Sequence, residues 1–359
     1  MSAQDKKKMS YVRLGNSGLK VSRIILGLMN YGNKEWMDWV LGEEEAITHI
    51  KAAYDAGIQT FDTANIYSNG ESERILGKAI KQPNLPRDEV VVMTKIPELT
   101  SFGIVGHTPS EIHMGDTSRG DGNGYVNQYG LSRKHIFESV KHSLDRLQLD
   151  YIDVLQCHRF DYNTPIEETM QALHDVVQAG YTQYIGMSSC YAYQLHAMQN
   201  YAIANKLTPF ISIEEEREMV PTLKMFRVGM IPWSPLAMGA LARPLSETSL
   251  RSQTDPFANV HTLGKTRDSN KEIITRVEKI VKSRGTSMAQ VALAWNLSKD
   301  HTTAPVIGIT NLKDLYDTIG AIDVKLTEAE IKQLEEPYLI MRSTLGQILR
   351  EYVVYMNYS

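Results

Sequence analysis

The chain has 359 residues, 42% of them hydrophobic and 22% charged, which is the balance of an ordinary soluble globular protein. A formal net charge of −4 leaves no electrostatic footprint for nucleic acid or an anionic membrane as partner. Two cysteines, Cys157 and Cys190, exclude a disulfide framework and a CxxC metal or redox motif. No apolar run reaches the length of a bilayer span, and the polar start MSAQDKKKMSYVRLG lacks an apolar leader core, so a cytoplasmic location is expected.

Gly15, Asn16, Ser17 and Gly18 form a turn cluster that predicts a small hairpin within residues 11–20. Residues 21–28 read as a buried strand, followed by a Gly- and Trp-containing loop through Gly42. Residues 43–56 read as a helix: Ala46, Ile47, Ile50, Ala53 and Tyr54 share one face, and Gly57 closes it. The stretch FDTANIYSNGESERILG, residues 61–77, starts as the second strand and ends as the second helix. Residues 90–96 are the third strand, with Lys95 near its end. Residues 97–130 are polar and Gly-rich, a length of loop that is usually functional or disordered.

A helix resumes from Ser132, and residues 151–158 form the fourth strand. Thr164-Pro165-Ile166-Glu167 predicts a capping box with Pro at the first helical position, and Gly180 ends that helix. Residues 184–189 are the fifth strand and 191–205 the fifth helix. The sixth strand, 210–213, runs straight into Glu-Glu-Glu-Arg-Glu at 214–218. This run reads as the acid-rich start of a helix around 216–227. Residues 229–236 are the seventh strand, and a second polar segment covers 243–270. Helices at 270–284 and 287–298 precede the eighth strand at 302–309; a helix over 312–319 and one capped by Thr327-Glu328-Ala329-Glu330 follow.

The alternation never breaks, and the strands lack the polar alternation of a half-exposed sheet, which argues for a parallel sheet buried on both faces. Eight such units predict an α/β fold, a (β/α)8 barrel, as a single domain over 1–359. It has an N-terminal hairpin, long loops at the C-terminal face and a truncated sixth unit. The core spans about 12–338, and the tail 339–359 is atypical.

In such a barrel the C-terminal strand ends surround the active site. Asp62 and Tyr67 follow the second strand, Lys95 ends the third and His158 the fourth; Ser188 and Ser189 end the fifth, and Trp233 and Ser234 lie in the seventh. A lone Lys or His there is as often structural, but four complementary types at consecutive strand ends favour chemistry. An ammonium beside a phenol lowers the phenol's pKa. Asp62 would hold Lys95, and His158 would position a carbonyl oxygen. A phenol so tuned can protonate an oxyanion as it forms, which suits carbonyl reduction. His107 and His113 have no metal-ligand spacing, and no metal is expected.

Taken together, FDTANIYSNGESERILGKAI, VVMTKI, DRLQLDYIDVLQCHRFD, QYIGMSS and IPWSPLAMG resemble the aldo-keto reductase family over about residues 12–338. The resemblance is nearest to its fungal aryl-alcohol dehydrogenase-like branch, which includes reductases of aromatic polyketide pathways. It implies NADPH or NADP+ as cofactor, NAD not being excluded, and a small-molecule carbonyl substrate. The implied tetrad is Asp62, Tyr67 as proton donor, Lys95 and His158, with His158 also touching substrate. The implied cofactor residues are Asp62, Ser188 and Ser189 at the carboxamide, Trp233 stacked on the nicotinamide, and Ser234, Leu236, Gly239 and Arg243 at the pyrophosphate. Gly308, Thr310, Asn311 and Asp317 fall at the adenosine phosphate end. The family's carboxamide-binding Gln and the Gln-Asn and Tyr-Asn-Leu segment after the sixth strand are absent, and Lys313 is the one cation in GITNLKDLYD. The gap leaves a nucleotide-binding pseudoenzyme or regulatory subunit as the alternative. Monomer and homo-oligomer stay open.

Overall fold

The computed structural model describes residues 9–96, 124–214, 219–255 and 268–338. His107, His113 and the tail lie outside the described residues, as do most of the first polar segment and 256–267 of the second.

The expected hairpin is β1 (Tyr11–Arg13) paired antiparallel with β2 (Lys20–Ser22). The single strand read over 21–28 is divided, because β2 belongs to the hairpin and β3 (Ile25–Gly27) is the first barrel strand. Then come β4 (Thr60–Asp62), β5 (Val91–Ile96), β6 (Ile152–Cys157), β7 (Thr182–Ser188), β8 (Phe210–Glu214), β9 (Gly229–Met230) and β10 (Val306–Ile307). The eight strands β3–β10 form one parallel sheet in the order β10-β3-β4-β5-β6-β7-β8-β9. Bridges Met230↔Thr302 and Trp233↔Val306 join its two ends, so the sheet curls into the expected barrel.

One expectation about the sixth unit is corrected. β8 runs one residue past the expected strand at 210–213: it pairs with β7 over four positions and with β9 over two, and it includes Glu214. The acid run therefore does not begin a helix at Glu214; that residue is 2% exposed inside the sheet, and the next described helix is Met219–Phe226. The capping box at Thr164 is also absent. Thr164 donates instead to Asp161 Oδ2 at 2.6 Å, and Pro165 is the N-cap of the helix Ile166–Gln178. By contrast, Thr327 caps as expected and Ser132 caps as well, each accepting from the backbone three residues on.

The barrel interior is graded along its axis. One apolar cluster takes Ile25, Val91, Met93, Val154, Ile211, Ile231, Ala304 and Val306 from the sheet and region around it, and Leu14 and Val21 from the hairpin. Strand side chains alternate faces with period two. Val91 and Met93 thus lead inward to Lys95, and Val154 leads to Gln156 and His158. The hairpin seals the apolar end so tightly that a Cβ on Gly15, whose φ is +57°, would lie 2.4 Å from Ile211 O and 2.8 Å from Gly229 N. With that end stoppered, the polar end is the one left for ligands.

Candidate active site

Four elements deliver the expected tetrad. Asp62 ends β4, Lys95 is next to last in β5, His158 directly follows β6, and Tyr67 opens the short 3-10 turn after β4. Lys95 is 1% exposed and is the hub. Its Nζ donates to Asp62 Oδ2 at 2.5 Å, to Thr63 O at 3.0 Å and to Tyr67 Oη at 3.5 Å. The rings of Tyr67 and His158 meet edge to face with centroids 5.9 Å apart.

Tyr67 is held from both sides of the chain. Ser68, Asn69 and Gly70 have φ of 47°, 57° and 89°, a left-handed run that turns the loop sharply. Asn33 N donates to Ser68 Oγ at 3.2 Å, and the indole of Trp36 lies 6.4 Å from the Tyr67 ring. Behind the loop, Glu73 on the following helix accepts from Thr94 Oγ1 and from Arg146 Nε, each at 2.6 Å and all buried. That network ties the helix Glu71–Lys81 to β5 and to the helix Arg133–Leu147.

Electrostatics correct one expectation. Burial pushes the Tyr67 phenol up to about 12, and the Lys95 charge offsets only part of that. The reason is geometric, since the ammonium sits closer to Asp62 than to the phenol, and the Asp62 charge raises it. Tyr67 is therefore a protonated phenol at neutral pH, the form that can give a proton. Lys95 stays charged: its burial opposes this, but Asp62, which accepts directly from Nζ, holds the ammonium. His158 is pushed well below the usual imidazole value by burial, then by Lys95 and Arg159, so it is neutral.

Two residues that the sequence reading missed complete the site. Gln156, fully buried in β6, donates from Nε2 to Asp62 Oδ1 at 3.0 Å. Glu214 ends β8 with Oε1 3.7 Å from Lys95 Nζ, and its Oε2 accepts from Ser188 Oγ at 3.1 Å. A register shift between Ile185 and Gly186 along β7 and β8 places Ser188 opposite Glu214. Period two along strands bearing the neighbouring polar ends could have flagged Gln156; the charge run at 214–218 hid Glu214.

Apart from Asp62, the expected cofactor residues lie at or beyond the ends of three strands, β7, β9 and β10. Ser188 and Ser189 lie beside the tetrad, their hydroxyls 3.3 Å apart. Trp233 is 38% exposed, with a backbone bridge to Val306. Ser234, Ala237, Met238 and Gly239 all have positive φ, and Leu236 packs on the main core. Ala237 N and Gly239 N are spent on Ser234 O and Leu236 O, so charge from Arg243, which packs on Gly239, is what this loop offers an anion. Gly308 and Thr310 are exposed; a Cβ on Gly308 would lie 2.9 Å from Asn30 Oδ1. Asn311 caps the helix Leu312–Ile319, accepting from Asp314 N at 2.9 Å. Asp317 is committed within the fold: it accepts from Ser287 Oγ at 2.5 Å and Gln290 Nε2 at 3.0 Å. Among the described residues no helix is long and apolar enough to cross a membrane, and no cluster could hold a metal ion.

Comparison with known proteins agrees with this geometry. The aldo/keto reductase family model matches residues 23–338. Versiconal hemiacetal acetate reductase of Aspergillus parasiticus is 47% identical over 92% of this chain and 97% of its own length. An aldo-keto reductase of Metarhizium robertsii is 44% identical, covering 93% and 92%. A relative from Schizosaccharomyces pombe that carries an aryl-alcohol dehydrogenase name is 46% identical, covering 91% and 95%. The barrel, its C-terminal-face site and a match across nearly the whole chain place this protein in the aldo/keto reductase family of oxidoreductases.

Proposed function

We propose that the protein is an NADPH-dependent reductase of aldehyde or ketone groups on aromatic substrates, aromatic polyketide intermediates among them. The observation that carries this reading is the Asp62–Lys95–Tyr67 chain, with Lys95 Nζ 2.5 Å from one partner and 3.5 Å from the other.

The residues present fit a nicotinamide nucleotide. Paired hydroxyls of Ser188 and Ser189 suit a carboxamide, the exposed indole of Trp233 suits a stacked ring, and Arg243 suits a phosphate. Lys313, exposed in the first turn of the helix Leu312–Ile319, is the cation available to a 2′-phosphate. When bound, the cofactor supplies a hydride to the carbonyl carbon. Neutral His158 donates an N–H to the carbonyl oxygen and orients it. Tyr67 gives its proton to that oxygen as negative charge builds there. The phenolate left behind faces the Lys95 ammonium, which Asp62 and Gln156 keep aimed at it. The buried indole of Trp36 beside Tyr67 supports an aromatic substrate.

The test is Tyr67→Phe, followed as NADPH absorbance with an aromatic aldehyde. Turnover should fall about 10²–10⁴-fold, while NADPH fluorescence titration still shows binding. Near-full turnover would sink the proposal. The alternative, a nucleotide-binding pseudoenzyme or regulatory subunit, draws on the gap after the sixth strand and the missing carboxamide-binding Gln. Binding without turnover by the wild-type chain is the result that would favour it.

A further inference from the structure

Glu214 lies where two groups of residues meet. Through Oε1 it faces Lys95, the hub of the tetrad; through Oε2 it holds Ser188, one of the two hydroxyls suited to the carboxamide. It is 2% exposed, so its charge state is set by the site and not by solvent.

Charge counting shows what that state is. Asp62 and Glu214 are buried carboxyls, and Lys95 is the single ammonium between them. Lys95 bonds Asp62 directly at 2.5 Å, and Gln156 adds a second donor to Asp62, whereas Glu214 has Lys95 only at 3.7 Å. Burial raises the Asp62 pKa, but Lys95 and Gln156 lower it through direct hydrogen bonds that Glu214 lacks, so Asp62 is the ion and Glu214 keeps its proton. Burial, then the Asp62 charge, pushes Glu214 up to about 8, with Lys95, Ser188 and Arg159 pulling the other way. The remaining titratable neighbours do not share this range: His158 is neutral and Tyr67 is a phenol.

We propose that Glu214 is a positioning residue that couples the site's charge to the redox state of the nicotinamide, acidic and neutral beside the reduced ring, ionised beside the oxidised one. This rests on the reductase reading above. The reduced ring is uncharged and asks nothing of the carboxyl. The oxidised ring is a pyridinium, a second cation arriving next to a carboxyl that has only a share of Lys95. A close opposite charge lowers a carboxyl's pKa by about 1–3 units. NADP+ then binds with release of the Glu214 proton, and by linkage its affinity rises with pH while that of NADPH does not.

The experiment measures dissociation constants of NADP+ and NADPH, by titration of the protein's own fluorescence, from pH 6 to pH 9. The 2′-phosphate is common to both nucleotides and cancels in their ratio. For the wild type, the preference for NADP+ should grow by about 10-fold or more over this range; in Glu214→Gln the ratio should stay flat. Proton release into weakly buffered solution at pH 7, read with an indicator dye, checks the wild type without any variant. NADP+ should release protons and NADPH should not. A flat ratio in the wild type, a slope kept in Glu214→Gln, or equal proton release by both nucleotides overturns the coupling while leaving the reductase reading intact. Failure of either nucleotide to bind overturns that reading, and the coupling with it.

Discussion

At the scale of single residues, the site is a set of buried charges that must balance, and Glu214 is the one whose balance changes near neutral pH. Its folded-state value near 8 lies above the ordinary carboxyl value of 4.5. The folded chain therefore holds a proton that the unfolded chain releases between those limits. Stability contributed by the group is complete below about pH 4.5 and is lost as pH rises towards 8, at up to about 1.4 kcal/mol per unit. Glu214→Gln should abolish that slope, so its thermal midpoint should exceed the wild type's at pH 8.5 and approach it at pH 5. A variant that melts in parallel with the wild type across the range would contradict the assignment. Asp62, Tyr67, Lys95 and His158 were legible in the sequence because each falls at or just beyond a strand end, where complementary types are informative. Glu214 was not, since acid repeats usually open helices. Asp317 misled in the other direction: its carboxylate looks available in sequence but is taken up by Ser287 and Gln290.

At the scale of elements, the Tyr67 loop depends on residues outside the tetrad. The helix after Tyr67 is anchored by Glu73, whose two oxygens hold Thr94 and Arg146. Glu73→Ala leaves the buried Arg146 guanidinium without its carboxylate, a loss worth about 3–5 kcal/mol. The expected outcome is a large drop in denaturant midpoint, with activity falling as Tyr67 loses its support. The hairpin is equally exacting. Gly15→Ala puts a Cβ into backbone of β8 and β9 at a positive φ, so it should destabilise by well over about 1 kcal/mol; a wild-type melting curve would show that the hairpin does not press on the barrel. Strand order and number were readable from the alternation, but strand limits were not. β9 and β10 each keep only two residues in regular pairing, although apolar runs over 229–236 and 302–309 look uniform. Apolar composition reports burial, whereas ladder length depends on how neighbouring strands diverge, which no single strand encodes.

At the scale of the whole molecule, the first and last barrel strands in the chain, β3 and β10, are joined by few bonds. They pair at two positions, and Arg23, just before β3, donates to the carbonyls of Thr302 at 2.7 Å, Leu297 at 3.0 Å and Thr303. Charged hydrogen bonds of this kind are worth about 1.5–3 kcal/mol each. Arg23→Ala should therefore lower the thermal midpoint clearly while leaving the pH dependence of the Glu214 carboxyl unchanged, a combination that separates damage at the seam from damage at the site.

The same seam governs how the chain acquires its shape. Gly15 lies against Ile211 and Gly229, and Arg23 bonds residues about 280 positions later in the chain. As the polypeptide leaves the ribosome, β3 must wait with one edge unpaired until β10 has been made, and the hairpin has no floor to rest on until β8 and β9 appear. Contacts of such long sequence separation slow folding, and open strand edges invite association with other chains. A nascent chain arrested before Val306 should accordingly be protease-sensitive and bind chaperones, and it should become resistant only once the last strand is released from the exit tunnel.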